Sequence, residues 1–170
     1  EYAAVSGAQL NPKKSSALRF GLFRGPLAAA VPFLDAVRVL GVLFEPSGVS
    51  PRTCDVVLSR ATHALSEAAS LNLVHDAKVS IVKTRSCAFT FHVARIATIS
   101  RRVVNRLASL IGTFVWDGRT ALVARHILHL PRSRGGLGLP CIPTVARALA
   151  LRLVERPLAD ESYPGRSLIL

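Results

Sequence analysis

The sequence predicts an α+β fold that is mainly α-helical. Two short apolar segments with strand character lie in the first 45 residues, and a segment rich in Pro, Gly and Ser, Glu45–Pro51, follows them. After this segment, apolar residues recur at spacings of three and four, which is typical of helices with one buried face. Hydrophobic residues make up 50% of the 170 positions, enough to build a core.

Residues 1–45 predict mixed local structure. The opening residues are typical of a helix that ends near Gly7, and Asn11 followed by Pro predicts a turn. Ser16–Gly21 and Val37–Phe44 each predict one β-strand, because their apolar residues alternate with other residues.

The remaining sequence predicts a series of helices. Ser50, followed by Pro51, predicts the start of the first helix, with Ser50 as its N-cap. The third helix has Val, Leu, Ile and Phe residues on one side and Arg, Asn and Ser on the other. The later helices are predicted over Asp76–Ala94, from Ser100 to about Val115, over Ala121–Leu130, and over Thr144–Glu155 with Thr144 as cap.

The chain is strongly basic, and its positive charge is mostly arginine. It holds 22 Lys and Arg against 10 Asp and Glu, a net charge of +12, and residues 47–136 alone carry 13 basic and 4 acidic residues. Planar guanidinium groups suit phosphate, so nucleic acid is the first partner expected and an anionic membrane surface the second. Arg101, Arg102 and Arg106 fall on one side of the third helix and predict a phosphate-binding surface; the competing interpretation is an ordinary solvated helix side.

The residue pattern argues against several other kinds of site. The three cysteines are widely spaced without a C-x-x-C motif, which excludes a disulfide framework or zinc knuckle and suits a reducing intracellular compartment. No pair of carboxylates is set to hold Mg²⁺, so we expect no metal or cofactor bound by this chain. His126, His129 and Cys141 are interpreted as structural residues, and Trp116 as an apolar plug at the end of the third helix.

A membrane span is not expected. The longest apolar stretch, Leu27–Phe44, is interrupted by Pro32, Asp35 and Arg38.

Four segments, in this order, resemble reverse transcriptases of non-LTR (LINE-type) retrotransposons. They are SGAQLNPKKS (6–15), VRVLGVLF (37–44), FVWDGR (114–119) and LPRSRGGLGLP (130–140). The resemblance covers roughly residues 1–155. It implies the end of a polymerase palm, made of a helix-turn and a short β-hairpin over residues 1–45, a helical-bundle thumb over 46–140, and the start of a post-thumb region over 141–170.

The resemblance also implies roles for individual residues. Lys14 is the candidate general acid for the pyrophosphate leaving group, with Asn11 and Lys13 beside it near the nucleotide phosphates. Gly41 lies in the primer grip, where it allows close approach of the backbone to the primer strand. The residues implied to contact the RNA–DNA hybrid from the thumb side are Arg101, Arg102, Arg106, Arg119 and Arg125.

On this interpretation the chain is part of an RNA-directed DNA polymerase that lacks the catalytic aspartates. We expect it to be inactive alone, either as a fragment or as a decayed copy, with Mg²⁺ required only by the full-length enzyme. Its partners are then an RNA template, a DNA primer and the missing N-terminal polymerase portion, in the nucleus and cytoplasm. The alternatives are a free-standing basic helical RNA-binding module and, less favoured, a membrane-surface protein.

Overall fold

The computed structural model describes residues 11–20 and 31–160, together with the isolated positions 5, 7, 25 and 162. The chain divides into two compact units, Glu1–Thr53 and Cys54–Leu170. The fold is α+β and mainly helical, as predicted. The helix predicted before Gly7 and the end of the tail lie largely outside the described residues.

The first unit contains the predicted turn at Asn11. Residues Pro12–Lys14 form one turn of 3₁₀ helix, and the side chain of Asn11 accepts a hydrogen bond from the backbone N–H of Lys13 at 3.1 Å. The strand predicted over Ser16–Gly21 is wrong for its described part, where only Ala17 pairs, in a single parallel bridge with Phe33. An isolated bridge lacks the neighbouring ladder hydrogen bonds that stabilise a strand.

The first unit also contains a small antiparallel sheet of β1 (Val37–Val39), β2 (Val42–Glu45) and β3 (Gly48–Val49), in the order β1-β2-β3. The prediction of one continuous strand over Val37–Phe44 is therefore wrong. The chain reverses at Leu40 and Gly41, whose φ angles are +50° and +87°. Two successive residues with positive φ form the tight turn whose twist matches that of a hairpin.

Helix α1 spans Arg52–Ala69 and begins as predicted. The hydroxyl of Ser50 accepts a hydrogen bond from the backbone N–H of Arg52 at 3.2 Å and donates one to Glu45 at 2.6 Å. These bonds satisfy a free N–H at the helix start, which explains why the helix begins here. The apolar spacing predicted a buried face that runs on to Leu71. Val57, Ala61, Leu65 and Ala68 are buried, but Leu71 lies beyond the end of the helix and is 55% exposed.

The second predicted helix is a continuous rod with an irregular centre. Helix α2 (His75–Ile81) leads into a π-helical segment (Val82–Cys87) and then into α3 (Ala88–Ala94). In the segment, the backbone N–H of Ala88 bonds to the carbonyl of Lys83, five residues back. The helix was predicted, but its π-helical centre was not.

Helix α4 spans Arg101–Val115 and begins as predicted. The Ser100 hydroxyl accepts a hydrogen bond from the backbone N–H of Val103 at 3.4 Å. One side of α4 is buried, and its C-terminal neighbour Trp116 is half-buried, so Trp116 is only partly the apolar plug that was predicted. The buried residues of α4 are Val103, Val104, Leu107, Ile111, Phe114 and Val115.

The last two predicted helices have different bounds in the structure. Helix α5 covers only Arg125–His129, and α6 covers Ile142–Ala159. Thr144 is not the cap of α6, because the helix already begins at Ile142 with Pro143 in its first turn. Helix α6 packs against α4 and α3, and α2 packs against α4, so these helices enclose one core within the second unit.

Candidate nucleic-acid interface

The exposed side of α4 carries the predicted arginines. Arg101, Arg102 and Arg106 are all exposed, while the opposite side of the helix is buried in the core of the second unit. Arg102 and Arg106 are four residues apart, so they lie about one turn apart along the helix, while Arg101 is displaced by roughly 100° around the axis from Arg102. The helix therefore presents a pair of aligned guanidinium groups with a third beside them.

The charges of these arginines are not neutralised by acids in the described part of the chain. The ion pairs found there join Glu67 to His63 and Arg85, Asp117 to Lys78, and Asp76 to Arg132. None of the three α4 arginines takes part in an ion pair within residues 11–20 and 31–160. Their guanidinium groups are available to an external anion.

Arg119 and Arg125 lie close to the same helix. Arg119 belongs to the turn after α4, and its backbone N–H donates to the carbonyl of Trp116 at 2.9 Å. A terminal nitrogen of Arg125 lies 4.0 Å from the position that a Cβ on Gly112 would occupy, so this guanidinium lies against the backbone of α4. Both arginines are exposed, and they extend the basic side of α4 toward its C-terminal end.

An ion pair between a buried lysine and an exposed aspartate holds the turn that follows α4. The ammonium of Lys78 on α2 lies 2.5 Å from a carboxylate oxygen of Asp117, and the two side chains are 4% and 60% exposed. This hydrogen bond, more than the nearby charges of Arg119 and His75, holds the pKa of Asp117 below its ordinary value of 3.8. Because Lys78 is buried and Asp117 is not, the pair mainly compensates the buried ammonium.

Two more contacts join the start of α2 to this region. The rings of His75 and Trp116 meet edge to face with centroids 5.4 Å apart. Arg132 lies 3.0 Å from Asp76 and connects α2 to the 3₁₀ turn Arg132–Arg134. The Lys78 pair and the His75–Trp116 contact therefore join the turn after α4 to α2, and the Arg132–Asp76 pair joins the 3₁₀ turn to the same helix.

The sequence did not single out Lys78 as a partner of Asp117, which lies 39 residues away. The only local sign that Lys78 is buried is its position next to Val79 and four residues before Val82, both of which are buried.

The segment from Leu130 to Pro140 is closely packed. At Gly136 a Cβ would lie 2.1 Å from the carbonyl oxygen of Leu130, a distance that no side chain tolerates. His129 donates from Nδ1 to the carbonyl of Leu139 at 2.9 Å, which supports its structural interpretation. The glycine-rich stretch therefore lets the chain fold back tightly against the end of α5.

The candidate residues of the first unit are also placed by the structure. Lys13 and Lys14 are exposed on the 3₁₀ turn that Asn11 caps, and Gly41 lies at the tip of the β1–β2 hairpin. Gly41 is a turn residue and not part of a strand, because its positive φ ends the pairing of β1. The roles implied for these residues by the resemblance stay predictions.

The cysteines and possible metal ligands show no clustered site. Within the described residues, no group of three His, Cys, Asp or Glu side chains could hold a metal ion. Burial raises the pKa of the Cys87 thiol to about 11, although the nearby charge of Lys83 acts in the opposite direction. This thiol is protonated at neutral pH and is a poor nucleophile.

No family model, curated protein or solved structure matches this chain. The assignment of the interface therefore depends on the charge and geometry of α4 and its neighbours. None of the helices in the described part of the chain combines the length and apolar composition that crossing a bilayer requires.

Proposed function

We propose that the chain is the C-terminal palm and thumb of a non-LTR retrotransposon reverse transcriptase. In this role α4 binds the hybrid formed by the RNA template and the DNA primer. The observation that carries the proposal is the set of exposed arginines on α4, Arg101, Arg102 and Arg106, which have no acidic partner among the described residues.

The chemistry of this surface suits a duplex backbone better than a base sequence. Guanidinium groups bind phosphate oxygens in bidentate fashion, and they do so whatever the base. A polymerase thumb must slide along a hybrid of any sequence, so it needs cations and few base-reading side chains. The second unit, with its excess of arginine and scarcity of acids, has that composition.

The first unit supplies the palm residues of the proposal. Lys14 acts on the pyrophosphate leaving group, Asn11 and Lys13 lie beside it, and Gly41 contacts the primer strand. The exposure of both lysines and the hairpin position of Gly41 are compatible with these roles. The metal-binding aspartates belong to the missing N-terminal portion, so the chain alone has no polymerase activity.

Binding to three labelled nucleic acids of equal length tests the proposal. Fluorescence anisotropy is measured with an RNA–DNA hybrid, a DNA duplex and a single-stranded RNA, each across a range of salt concentrations. We expect the hybrid and duplex to bind more tightly than the single strand, with a steep loss of affinity as salt increases. Absence of binding to the hybrid at low salt would show that the proposal is wrong.

The same measurement separates the alternative function. A free-standing RNA-binding module would bind single-stranded RNA as tightly as the hybrid. The gene provides an independent test, because the proposal requires an aromatic-Ala-Asp-Asp hairpin to be encoded just upstream of Glu1. An intact upstream reading frame without that hairpin would contradict the polymerase assignment and leave the binding surface unaffected.

A further inference from the structure

A groove runs along α4 on the side that carries Asn105, Ser109 and Gly112. It consists of two adjoining cavities of about 170 and about 210 Å³. Ser109, Gly112, Arg125 and Leu128 line both cavities, so the two cavities adjoin each other along α4. The groove follows α4 from Asn105 to Trp116, a length of roughly 16 Å at 1.5 Å per residue.

The groove is basic and has an aromatic end. Arg125 lies at its middle and Arg119 near the C-terminal end of α4, where Trp116 also lines the wall. Among the described residues that line the two cavities, none is an acid. Neither arginine forms an ion pair with a described residue. The two arginines and the tryptophan therefore favour an anion that carries a planar apolar group.

The size of each cavity argues against an enclosed small molecule. Each cavity is smaller than about 300 Å³, the lower end of pockets that enclose a whole ligand. A narrow, elongated depression suits instead a strand whose phosphates follow the cations and whose bases are unpaired. Basic grooves with an aromatic platform are the usual way in which proteins bind single-stranded nucleic acid.

Two structural features keep the groove open. Gly112, a partly buried residue of α4, adds no side chain to the wall beside the Arg125 guanidinium. The Lys78–Asp117 pair and the contact between His75 and Trp116 hold the aromatic end in place.

We propose that this groove binds the single-stranded end of a nucleic-acid strand that leaves the duplex on α4. Its phosphates contact Arg125 and Arg119, and a base stacks on Trp116. The inference rests on the proposed function, since it requires a duplex on the neighbouring arginines. It adds a second subsite, for an unpaired strand, to the thumb surface.

The single tryptophan makes this subsite directly measurable. Because Trp116 is the only Trp of the chain, intrinsic fluorescence reports on the groove alone. The full chain is titrated with a blunt RNA–DNA hybrid and with the same hybrid carrying a single-stranded extension of about four nucleotides. We expect the extension to raise the affinity by about tenfold, the effect of one stacked base, and to quench the fluorescence. The blunt hybrid should leave the fluorescence nearly unchanged.

Three sets of variants locate the effect. Arg125→Ala should remove most of the affinity ratio between extended and blunt hybrids, and Arg125→Lys should restore part of it. Arg102→Ala with Arg106→Ala should weaken both substrates by the same factor and keep their ratio. Trp116→Phe, which keeps an aromatic ring, should retain part of the ratio and shows whether stacking contributes.

The outcomes distinguish the two proposals. If no hybrid binds, the proposed function is wrong. If the blunt hybrid binds but the extension changes neither affinity nor fluorescence, only the groove is misassigned. Equal quenching by blunt and extended hybrids would also overturn the inference, because Trp116 would then respond to the duplex.

Discussion

Replacing Arg102 and Arg106 together by alanine removes the two aligned guanidinium groups of α4 and tests the proposed interface most directly. Both side chains are exposed, and neither forms an ion pair with a described residue. Alanine is also a strong helix former, so α4 is preserved. We expect the free energy of unfolding to change by less than about 0.5 kcal/mol, as for ordinary surface positions.

The size of the binding effect follows from counterion release. Each phosphate neutralised by a cation adds about 0.7–0.9 to the slope of log affinity against log salt concentration. Loss of two contacts should therefore flatten the slope by about 1.4–1.8. Between about 50 and 200 mM salt, the affinity advantage of the unmodified chain over the variant should shrink about tenfold. Adding Arg101→Ala should flatten the slope by at most about one more unit, because Arg101 lies on a different line of the helix.

Anisotropy of a labelled hybrid, measured across that salt range, gives the slope. The matched control is Arg85→Ala with Arg132→Ala, which changes the formal charge equally but removes arginines already paired with Glu67 and Asp76. We expect the control to keep a slope close to that of the unmodified chain. A double variant of α4 with an unchanged slope, or a control that flattens it equally, would refute a specific contact surface.

Four further predictions concern stability. Asp117→Asn should lower Tm more than Lys78→Met, because the first leaves a buried ammonium without a counterion and the second removes the buried charge. Calorimetry of both variants shows which of them has the lower Tm. Folding lowers the pKa of Asp117, so the ion pair contributes fully to the free energy of unfolding above pH 3.8, and this contribution is lost as the pH falls further. The free energy of unfolding of Asp117→Asn should therefore decrease less steeply in this acid range. Gly136→Ala should destabilise the fold by at least about 1–3 kcal/mol in denaturant titration, since its Cβ would overlap the backbone of Leu130. Gly112→Ala should stabilise it by about 0.5–1 kcal/mol, because the added Cβ makes an ordinary contact and alanine favours a helix.

The opposite outcome of each stability measurement would contradict its prediction. A larger loss of Tm for Lys78→Met than for Asp117→Asn would show that the aliphatic packing of Lys78 matters more than its charge. An equally steep decrease for Asp117→Asn in the acid range would assign that decrease to other carboxylates. Tolerance of alanine at Gly136, or a loss of stability at Gly112, would contradict the backbone packing described for these positions.

The starts of α1 and α4 were predictable because their causes are local. Ser50 and Ser100 each accept a hydrogen bond from a backbone N–H in the first turn of the following helix, and this needs only residues that are adjacent in the sequence. The buried side of α4 was predictable for a related reason. A helix repeats every 3.6 residues, so the spacing of its apolar residues reveals the side that faces the core, and the arginines follow on the other side.

Turns without a strong sequence signal were not predictable. The Leu40–Gly41 turn lacks the Asn-Gly or Asp-Gly pair that usually marks a hairpin, so the sequence read as one strand. The π-helical segment at Val82–Cys87 likewise has no spacing of its own that separates it from a regular helix. In both cases, backbone geometry differs over a few residues while the apolar pattern remains continuous.

The sequence by itself determined the charge of this protein, the starts of α1 and α4 and the side of α4 on which the arginines lie. Only the tertiary structure decided that Lys78 is buried against Asp117, that Arg125 lies along Gly112, and that Trp116 ends a basic groove. The first group depends on neighbours within a turn or two of helix. The second depends on which distant segments meet when the apolar faces pack, and a sequence pattern with a short period does not encode that choice.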